Sequence, residues 1–423
     1  MKNIKNLFCI VLLTVFLSLN LSGCNLKEQQ KQEPVQNVLS NLSSYRKSPQ
    51  GIFIKTWKII KNEHLDKTYN HQNWDKWKDR YYDKIKTKED AYLAIDTMIE
   101  SLNDPYTRFL RPSDFQEQTR TIDAKLYGIG VHIANRNNQP VVIHVIDDTP
   151  AKEAGLKAGD IILKINNISA KGLDVKQTAD KVRGKAGTPV TLTLLRKKQI
   201  LVKKITRKEI NIKSVEYKIL DNKYAYIHIL SFISNETSIE TAQALASTRN
   251  TEGIILDLRG NYGGLLPNAV FIANMFIKKG ALVSIVNKDG YKETIYAEPF
   301  DIYMDKPIIV LINQASASAS EILSGALKDH KKAILVGEKS FGKGLVQKII
   351  GLPDGSGINI TIAKYLTPNG TDINKKGIQP DYKVKFTEKD FLSNHDPQLA
   401  KAKQILAGEI LKRSHTAVSA SMK

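Results

Sequence analysis

Between about Thr206 and Val384 short apolar runs alternate with helical segments, and this alternation constrains the fold more than any other feature of the chain. Gly253-Ile254-Ile255-Leu256-Asp257-Leu258 and Ile308-Ile309-Val310-Leu311-Ile312 are the clearest strand-like runs. Strands separated by helices argue an α/β domain. Three turns that follow such runs concentrate the chemistry: Asp257 to Gly264, Asn313 to Glu321, and Gly337 to Gln347. Turns at strand ends are where α/β folds place their sites. No period of about 20–50 residues recurs, which excludes solenoids and propellers.

Composition narrows the rest. The 423 residues are 42% hydrophobic and 25% charged, ordinary for a globular protein with room for several domains. Two cysteines exclude a zinc ribbon or a multi-disulfide scaffold. The formal charge of +20 would suit nucleic acid, an anionic membrane surface or a soluble basic protein. Zinc spacings and aromatic-basic interleaving are both missing, so nucleic acid ranks last. The excess is concentrated in residues 121–205, where it fits carboxylate-ended ligands and simple solubility equally well.

The amino terminus has the parts of a secretory signal: Lys2 and Lys5, an apolar run from Leu7 to Leu19, and Leu21-Ser22-Gly23-Cys24. The alternative is an uncleaved anchor helix, for which the run is short. The organisation expected is therefore a signal at 1–23, a polar tether at 24–50, and a helical region at 51–120. A β-rich segment at 121–205, the α/β domain at 206–390, and a terminal helix with a polar tail at 391–423 complete it. Pro397 to Lys412 is read as the helix and the remainder as tail.

The third turn holds a decoy. Gly337 to Lys343 fits a phosphate-binding loop up to the lysine, but Gly344 stands where Ser or Thr must hold magnesium. The run from Leu345 to Ile350 then reads as a strand, so the helix start that would cradle phosphate is missing. The other reading makes Lys343 a base. Small residues around Ser316, Ser318 and Ser320, between a strand and a helix, suit a serine exposed at a helix start. No histidine sits in a nucleophile elbow or beside an obvious carboxylate partner. Lysine serves only when neutral, and moving its pKa to about 7 costs roughly 4–5 kcal/mol, which burial can impose. Gln347, four residues on, shares a face with Lys343 by strand parity and can orient the amine without charging it. Backbone N–H groups of Ala319 and of Gly263 or Gly264 would meet an oxyanion. Taken singly, each motif also reads as a Ser/Ala-rich helix start, a glycine turn or a solvated lysine.

Residues 121–205 resemble a PDZ domain of the bacterial protease type, on Tyr127-Gly128-Ile129-Gly130-Val131, Thr149-Pro150-Ala151, Ala154-Gly155-Leu156 and Gly159-Asp160-Ile161-Ile162. The glycines at 128 and 130 would turn backbone N–H groups toward a terminal carboxylate. A peptide would then add as a strand beside Val131 to Ala134. Val175, Ala179 and Val182 share one helix face and would line the groove or simply pack the core. Leu-Ser-Gly-Cys resembles the bacterial lipobox, which implies lipidation of Cys24 and a membrane anchor.

Over about Pro49 to Val384 the chain resembles the C-terminal processing peptidases, or tail-specific proteases. The resemblance rests on Asn103-Asp104-Pro105-Tyr106-Thr107, the Ser-Ala-Ser-Ala-Ser-Glu run, Phe341-Gly342-Lys343-Gly344 with Val346-Gln347, Thr367-Pro368-Asn369-Gly370 and Gly377-Ile378-Gln379-Pro380-Asp381. It implies a crotonase-like α/β core with an inserted PDZ domain, and a serine endopeptidase that cleaves through an acyl-enzyme. It puts the nucleophile on Ser318, the general base on Lys343 and the third position on Gln347. No cofactor or metal is implied. Tyr262 falls on a variable position and bears on substrate shape.

The partners expected are protein substrates held by their carboxyl tails and a membrane reached through the lipid anchor, in the bacterial envelope. Asn25 after the lipidated cysteine would place it on the outer membrane of a two-membrane cell. The oligomer and any adaptor that delivers substrates stay open. The competing class is a catalytically idle PDZ scaffold, against which intact Ser318, Lys343 and Gln347 argue. A crotonase-like acyl-CoA enzyme fits the fold but not an exported chain.

Overall fold

The computed structural model describes residues 47–421 except 124, 212, 300–303 and 394. The signal peptide, Cys24 and nearly all of the tether lie outside the described residues. Helix α1 (Pro49–Glu63) opens where Ser48 Oγ accepts the Gly51 N–H at 3.1 Å and Pro49 needs no N–H partner. The helix thus takes residues 49 and 50 from the expected tether. Helices α2 (Asp75–Tyr81) and α3 (Lys88–Glu100) follow, and α3 is closed at its start by a reciprocal Thr87/Asp90 capping box.

Arg108–Leu110 corrects the all-helical reading of 51–120. It is a strand, β1, paired antiparallel with residues 357–359 before α4 (Pro112–Ile122) begins. Sheet pairing and burial of Phe109 among α1 and α3 side chains outweigh the local pattern. Phe109 meets Tyr92 with ring centroids 5.0 Å apart.

A β-rich module follows: β2 (Lys125–Gly128), β3 (Val131–Arg136), β4 (Gln139–Val145), α5 (Pro150–Glu153), β5 (Ile161–Ile165), β6 (Ile168–Ser169), α6 (Val175–Val182), β7 (Pro189–Arg196), β8 (Gln199–Thr206) and β9 (Lys208–Asn211). Its sheet runs β3-β4-β5-β7-β8 with β6 on β5, and β2 pairs with β9 so that the chain enters and leaves side by side. Alternation along β7 sends Val190, Leu192 and Leu194 into the core. At one edge β3 leaves a strand side unpaired by the sheet.

The remaining elements are β10 (Val215–Leu220), β11 (Tyr224–Ile229), α7 (Thr237–Ser247), β12 (Gly253–Asp257), α8 (Leu266–Asn274), β13 (Ala281–Asn287), β14 (Lys292–Tyr296), β15 (Ile308–Ile312), α9 (Ala319–Asp329), β16 (Ala333–Gly337), β17 (Leu345–Gly351), β18 (Gly357–Leu366), β19 (Tyr382–Lys383), α10 (Glu388–Leu392) and α11 (Pro397–Ser421). A six-stranded sheet, β10-β11-β12-β15-β16-β19, is parallel except for β10. Its central strands are buried on both faces, which is why they read as unbroken apolar runs. Ile254, Leu256 and Val310 pack toward α7, α8 and α9, while Ile255, Ile309 and Leu311 meet Ala402 and Leu406 of α11. Helix α11 continues to Ser421, through the stretch read as tail. A second sheet, β1-β18-β13-β14 with β17 on β18, carries the amino-terminal helices, whose Ile52, Ile95 and Met98 share a core with Ile358 and Ile360.

Candidate active site

Strands β12, β15 and β16 are adjacent and parallel, so the three turns singled out in the sequence emerge at one edge of the sheet. Hydrogen bonds lace them together. Asn313 Oδ1 accepts the Gly260 N–H at 3.0 Å, the Ala317 N–H donates to Asn261 O at 3.0 Å, and the Phe341 N–H donates to Ser316 O at 3.0 Å.

The three serines divide by environment. Ser316 Oγ donates to Leu258 O at 2.8 Å and Ser320 Oγ to Asn261 O at 3.0 Å, and both are fully buried. Ser318, by contrast, is only half-buried. It caps α9 with φ 54° and ψ −113°, a region that a residue with a Cβ occupies only under constraint. The flanking serines fix the turn, and the middle one faces open space.

That space is a cleft of about 580 Å³ lined by Ser318, Lys343, Gln347, Gly263 and Gly264, with Pro105 and Tyr106 from the amino-terminal motif and Arg108 from β1. Lys343 is half-buried, and its Nζ lies 4.6 Å from the centroid of the Tyr106 ring. Among the described residues the amine has no hydrogen-bond acceptor. Burial pushes it below the ordinary lysine pKa, Arg108 adds to the fall, and Asp104 and Glu321 oppose it. Asp104 is itself held in place. Burial raises its carboxyl, yet hydrogen bonds from His64, Thr107 and the Tyr106 N–H keep it well below the usual range.

Gln347 lines the cleft, but strand parity does not carry it there. Lys343 precedes β17, and the register against β18 shifts between Val346 and Gln347. The side chain donates to Thr361 Oγ1 at 3.4 Å rather than to Lys343.

The turn at 260–264 separates the two glycines. Gly263 has φ 96° and passes so close to the serine turn that a Cβ would lie 2.6 Å from Ala317 O and 2.9 Å from Ser318 Cβ. Its N–H is already given to Asn261 Oδ1 at 2.8 Å. The Gly264 N–H, at the open side of the turn, has no acceptor among the described residues, and neither has the Ala319 N–H at the start of α9. Two donors therefore remain beside Ser318.

In the β-rich module Tyr127, Gly128, Ile129, Gly130 and Val131 all line a second groove, of about 300 Å³, between the edge strand β3 and α6. Val175, Ala179 and Val182 form its helical wall. The glycines are not equivalent there. Gly128 lies within β2 opposite Lys208, and Gly130 alone turns, with φ 84° and a Cβ position 2.4 Å from Thr149. Within the described residues no three His, Cys, Asp or Glu gather to hold a metal, and no helix is long and apolar enough to cross a membrane.

Two residues of the site carry no role in the sequence reading. Glu321 ends the Ser-Ala-Ser-Ala-Ser-Glu run and is fully buried. Its carboxylate accepts hydrogen bonds from the N–H groups of Ser318, Gly342 and Lys343 and from Ser340 Oγ. Tyr365 on β18 is buried below the cleft, with its phenol pushed well above the ordinary range by burial. The motif around Ser318 gave a signal for Glu321, and nothing marked Tyr365.

Comparisons with known proteins match both the α/β part and the β-rich module of the chain. Peptidase family S41 matches residues 223–384, and the PDZ domain matches residues 141–196. The chain is 39% identical over 343 residues to a carboxyl-terminal-processing protease of a Picosynechococcus species, covering 78% of this chain and 82% of that protein. A carboxyl-terminal-processing protease of a Synechocystis species is 36% identical over 375 residues, covering 85% and 87%. Among solved structures, the photosystem II D1 C-terminal processing protease superposes with a TM-score of 0.55 at 32% identity, over 80% of this chain and 93% of that one.

Proposed function

We propose, from the premise that this chain belongs to peptidase family S41 as a serine peptidase of the carboxyl-terminal-processing kind with a PDZ domain, that Ser318 is its nucleophile and Lys343 its general base. The observation that carries this is the pairing in one cleft of a half-buried hydroxyl on a strained backbone with a half-buried amine whose proton affinity burial lowers. The neutral amine takes the Ser318 proton as Oγ bonds to the scissile carbonyl carbon. The oxyanion then meets the N–H groups of Gly264 and Ala319, while Gly263 holds the turn against the serine. The Lys343 ammonium returns its proton to the leaving amine, and a water activated by the same amine releases the acyl group. Gln347 shapes the cleft wall beside the amine.

The PDZ groove takes the substrate's carboxyl tail as a strand along β3, with its end at Gly128 to Val131 and its side chains against α6. We take 49–120 as an amino-terminal region of helices with strand β1, 121–205 as the PDZ domain, 206–390 as a crotonase-like catalytic domain and 391–423 as a terminal helix region. Residues 1–23 are a lipoprotein signal, Cys24 the lipidated first residue and 24–48 the tether, so the enzyme works in the bacterial envelope, anchored to a membrane.

Ser318→Ala and Lys343→Ala in separate purified proteins are expected to abolish cleavage of an unstructured peptide with an apolar carboxyl end. Undiminished cleavage by either sinks the dyad. A serine-reactive probe should label the wild type and not Ser318→Ala, whereas an idle scaffold would label in neither. Cys24→Ala should release the protein from the membrane fraction, and unchanged fractionation would remove the anchor.

A further inference from the structure

Ser318 and Lys343 are gripped from both sides of their backbones by the same two buried residues. Glu321 Oε2 accepts the Ser318 N–H at 2.8 Å and the Lys343 N–H at 2.9 Å. The Tyr365 hydroxyl faces the carbonyl oxygens of those two residues, at 3.1 Å from Ser318 O and 2.8 Å from Lys343 O. One acceptor thus holds both N–H groups and one donor is shared by both carbonyls. We propose that Glu321 is a positioning residue which, with Tyr365, sets the separation and orientation of Ser318 and Lys343. This deepens the dyad reading and rests on it.

Each side of the dyad has a backbone that would otherwise drift. Ser318 sits at φ 54° and ψ −113°, which persists only where the surroundings over-determine it. Lys343 follows Gly342, whose φ of 92° marks a turn with wide conformational freedom. Glu321 constrains both. Its Oε1 takes the Gly342 N–H at 2.7 Å and Ser340 Oγ at 2.6 Å, and Ser340 Oγ in turn accepts the Ile378 N–H at 2.6 Å. The motif at 377–381 therefore reaches the dyad through Ser340.

The bonding fixes the ionisation of Glu321. Three of its partners are backbone N–H groups that can only donate, and Ser340 is turned to donate because its oxygen already accepts from Ile378. Both carboxylate oxygens are filled by two donors each, leaving no acceptor for a carboxyl proton. Burial raises the carboxyl's proton affinity above the ordinary glutamate value and these bonds oppose the rise, so it is the donor-only bonding that argues for the carboxylate. Glu321 is also the third residue of α9, where the positive end of the helix favours an anion. A bare buried carboxylate is costly unless paired or hydrogen-bonded, so this one is kept for what its four donors hold. Its charge reaches Lys343 as well, raising the amine's proton affinity against the effect of burial.

The test uses Glu321→Gln and Tyr365→Phe in the full chain, with Ser318→Ala and Lys343→Ala alongside. Glutamine keeps the shape but turns an amide NH₂ toward N–H donors. In Glu321→Gln, kcat on an unstructured tail peptide should fall about 10²-fold, as for a misplaced catalytic group, with KM within about twofold of wild type. The acid limb of its kcat profile should move to lower pH, because losing a nearby negative charge favours the neutral amine. Tyr365→Phe should lose about tenfold in kcat and keep its acid limb. Wild-type kcat and acid limb in Glu321→Gln overturn the proposal, and so does a loss of kcat that comes with a raised KM and an unmoved limb. If Glu321→Gln does not fold, Tyr365→Phe decides, and an undiminished kcat there overturns it. Full activity in Ser318→Ala or Lys343→Ala would bring down the dyad instead. Inactive Ser318→Ala and Lys343→Ala beside a wild-type Glu321→Gln would leave the dyad standing and remove the clamp alone.

Discussion

In the catalytic cleft the backbone is held by buried polar side chains from distant parts of the chain, whereas in the PDZ groove it is held by strand pairing and apolar packing. Asn261, Ser316, Ser320 and Glu321 are each fully buried, and every one hydrogen-bonds backbone outside its own turn. The PDZ groove has Ile129, Val175, Ala179 and Val182 as walls and a strand edge as its recognition element. The difference follows from what each site must do. A reacting pair needs fixed atoms, and buried hydrogen bonds supply direction. A groove that accepts varied tails needs area and main-chain donors, which tolerate change in steps. Damage should accordingly be steep and confined to kcat in the cleft, and graded and confined to KM in the PDZ groove.

Lys343→Arg probes the steepest part of that contrast. A guanidinium stays charged at any pH the protein survives, so it cannot take the Ser318 proton. Turnover should fall at least about 10³-fold with tail affinity intact. The same logic sets the sign of the pH dependence in the wild type. Burial lowers the Lys343 pKa, so activity is present above that lowered value and lost as pH falls through it. An acid limb that survives in Lys343→Arg would assign the base elsewhere.

Gly264→Ala comes next. Gly264 has φ 149°, and a Cβ would lie 2.2 Å from the carbonyl carbon of Phe232, so the turn must move and its N–H must swing from the serine. Loss of one oxyanion donor costs about 10² to 10³ in kcat. A raised KM with unchanged kcat would show that the cleft yields as gradually as the PDZ groove, and the contrast would break.

The same contrast explains what could be read from the chain in advance. The three turns were legible because each follows an apolar run, and Ser318 and Lys343 because their neighbours form compact motifs. Glu321 stood in plain view at the end of the serine run, but its partners Gly342 and Lys343 lie 21 and 22 residues away. No local pattern encodes such a bond. Tyr365 is marked by nothing, since a tyrosine on an alternating strand looks like core. Gly263 and Gly264 could not be separated because the choice depends on the Asn261 side chain taking one N–H. Gln347 reaches the cleft although the register shift at Val346/Gln347 breaks the strand parity that relates it to Lys343. In the PDZ module, where local patterns decide, residues 127–131 line the groove together, and only the two glycines part, Gly128 paired in a strand and Gly130 in a turn.

Ala179→Asp tests the graded side and should have the smallest effect. Ala179 lies on the groove face of α6 between Val175 and Val182 and does not line the catalytic cleft. An aspartate there replaces an apolar contact with a charge that must stay hydrated, and it adds repulsion toward a carboxylate-ended tail. An apolar contact of one methyl group is worth about 0.8 kcal/mol, and a comparable electrostatic penalty brings the total near the 1.4 kcal/mol of a tenfold change. KM for a tail peptide should therefore rise about tenfold at unchanged kcat. A peptide too short to reach the groove should be cleaved as by the wild type. Raising the ionic strength should recover part of the loss, because the repulsive share is screened and the apolar share is not. A fall in kcat on the short peptide would mean that the two grooves share their rigidity.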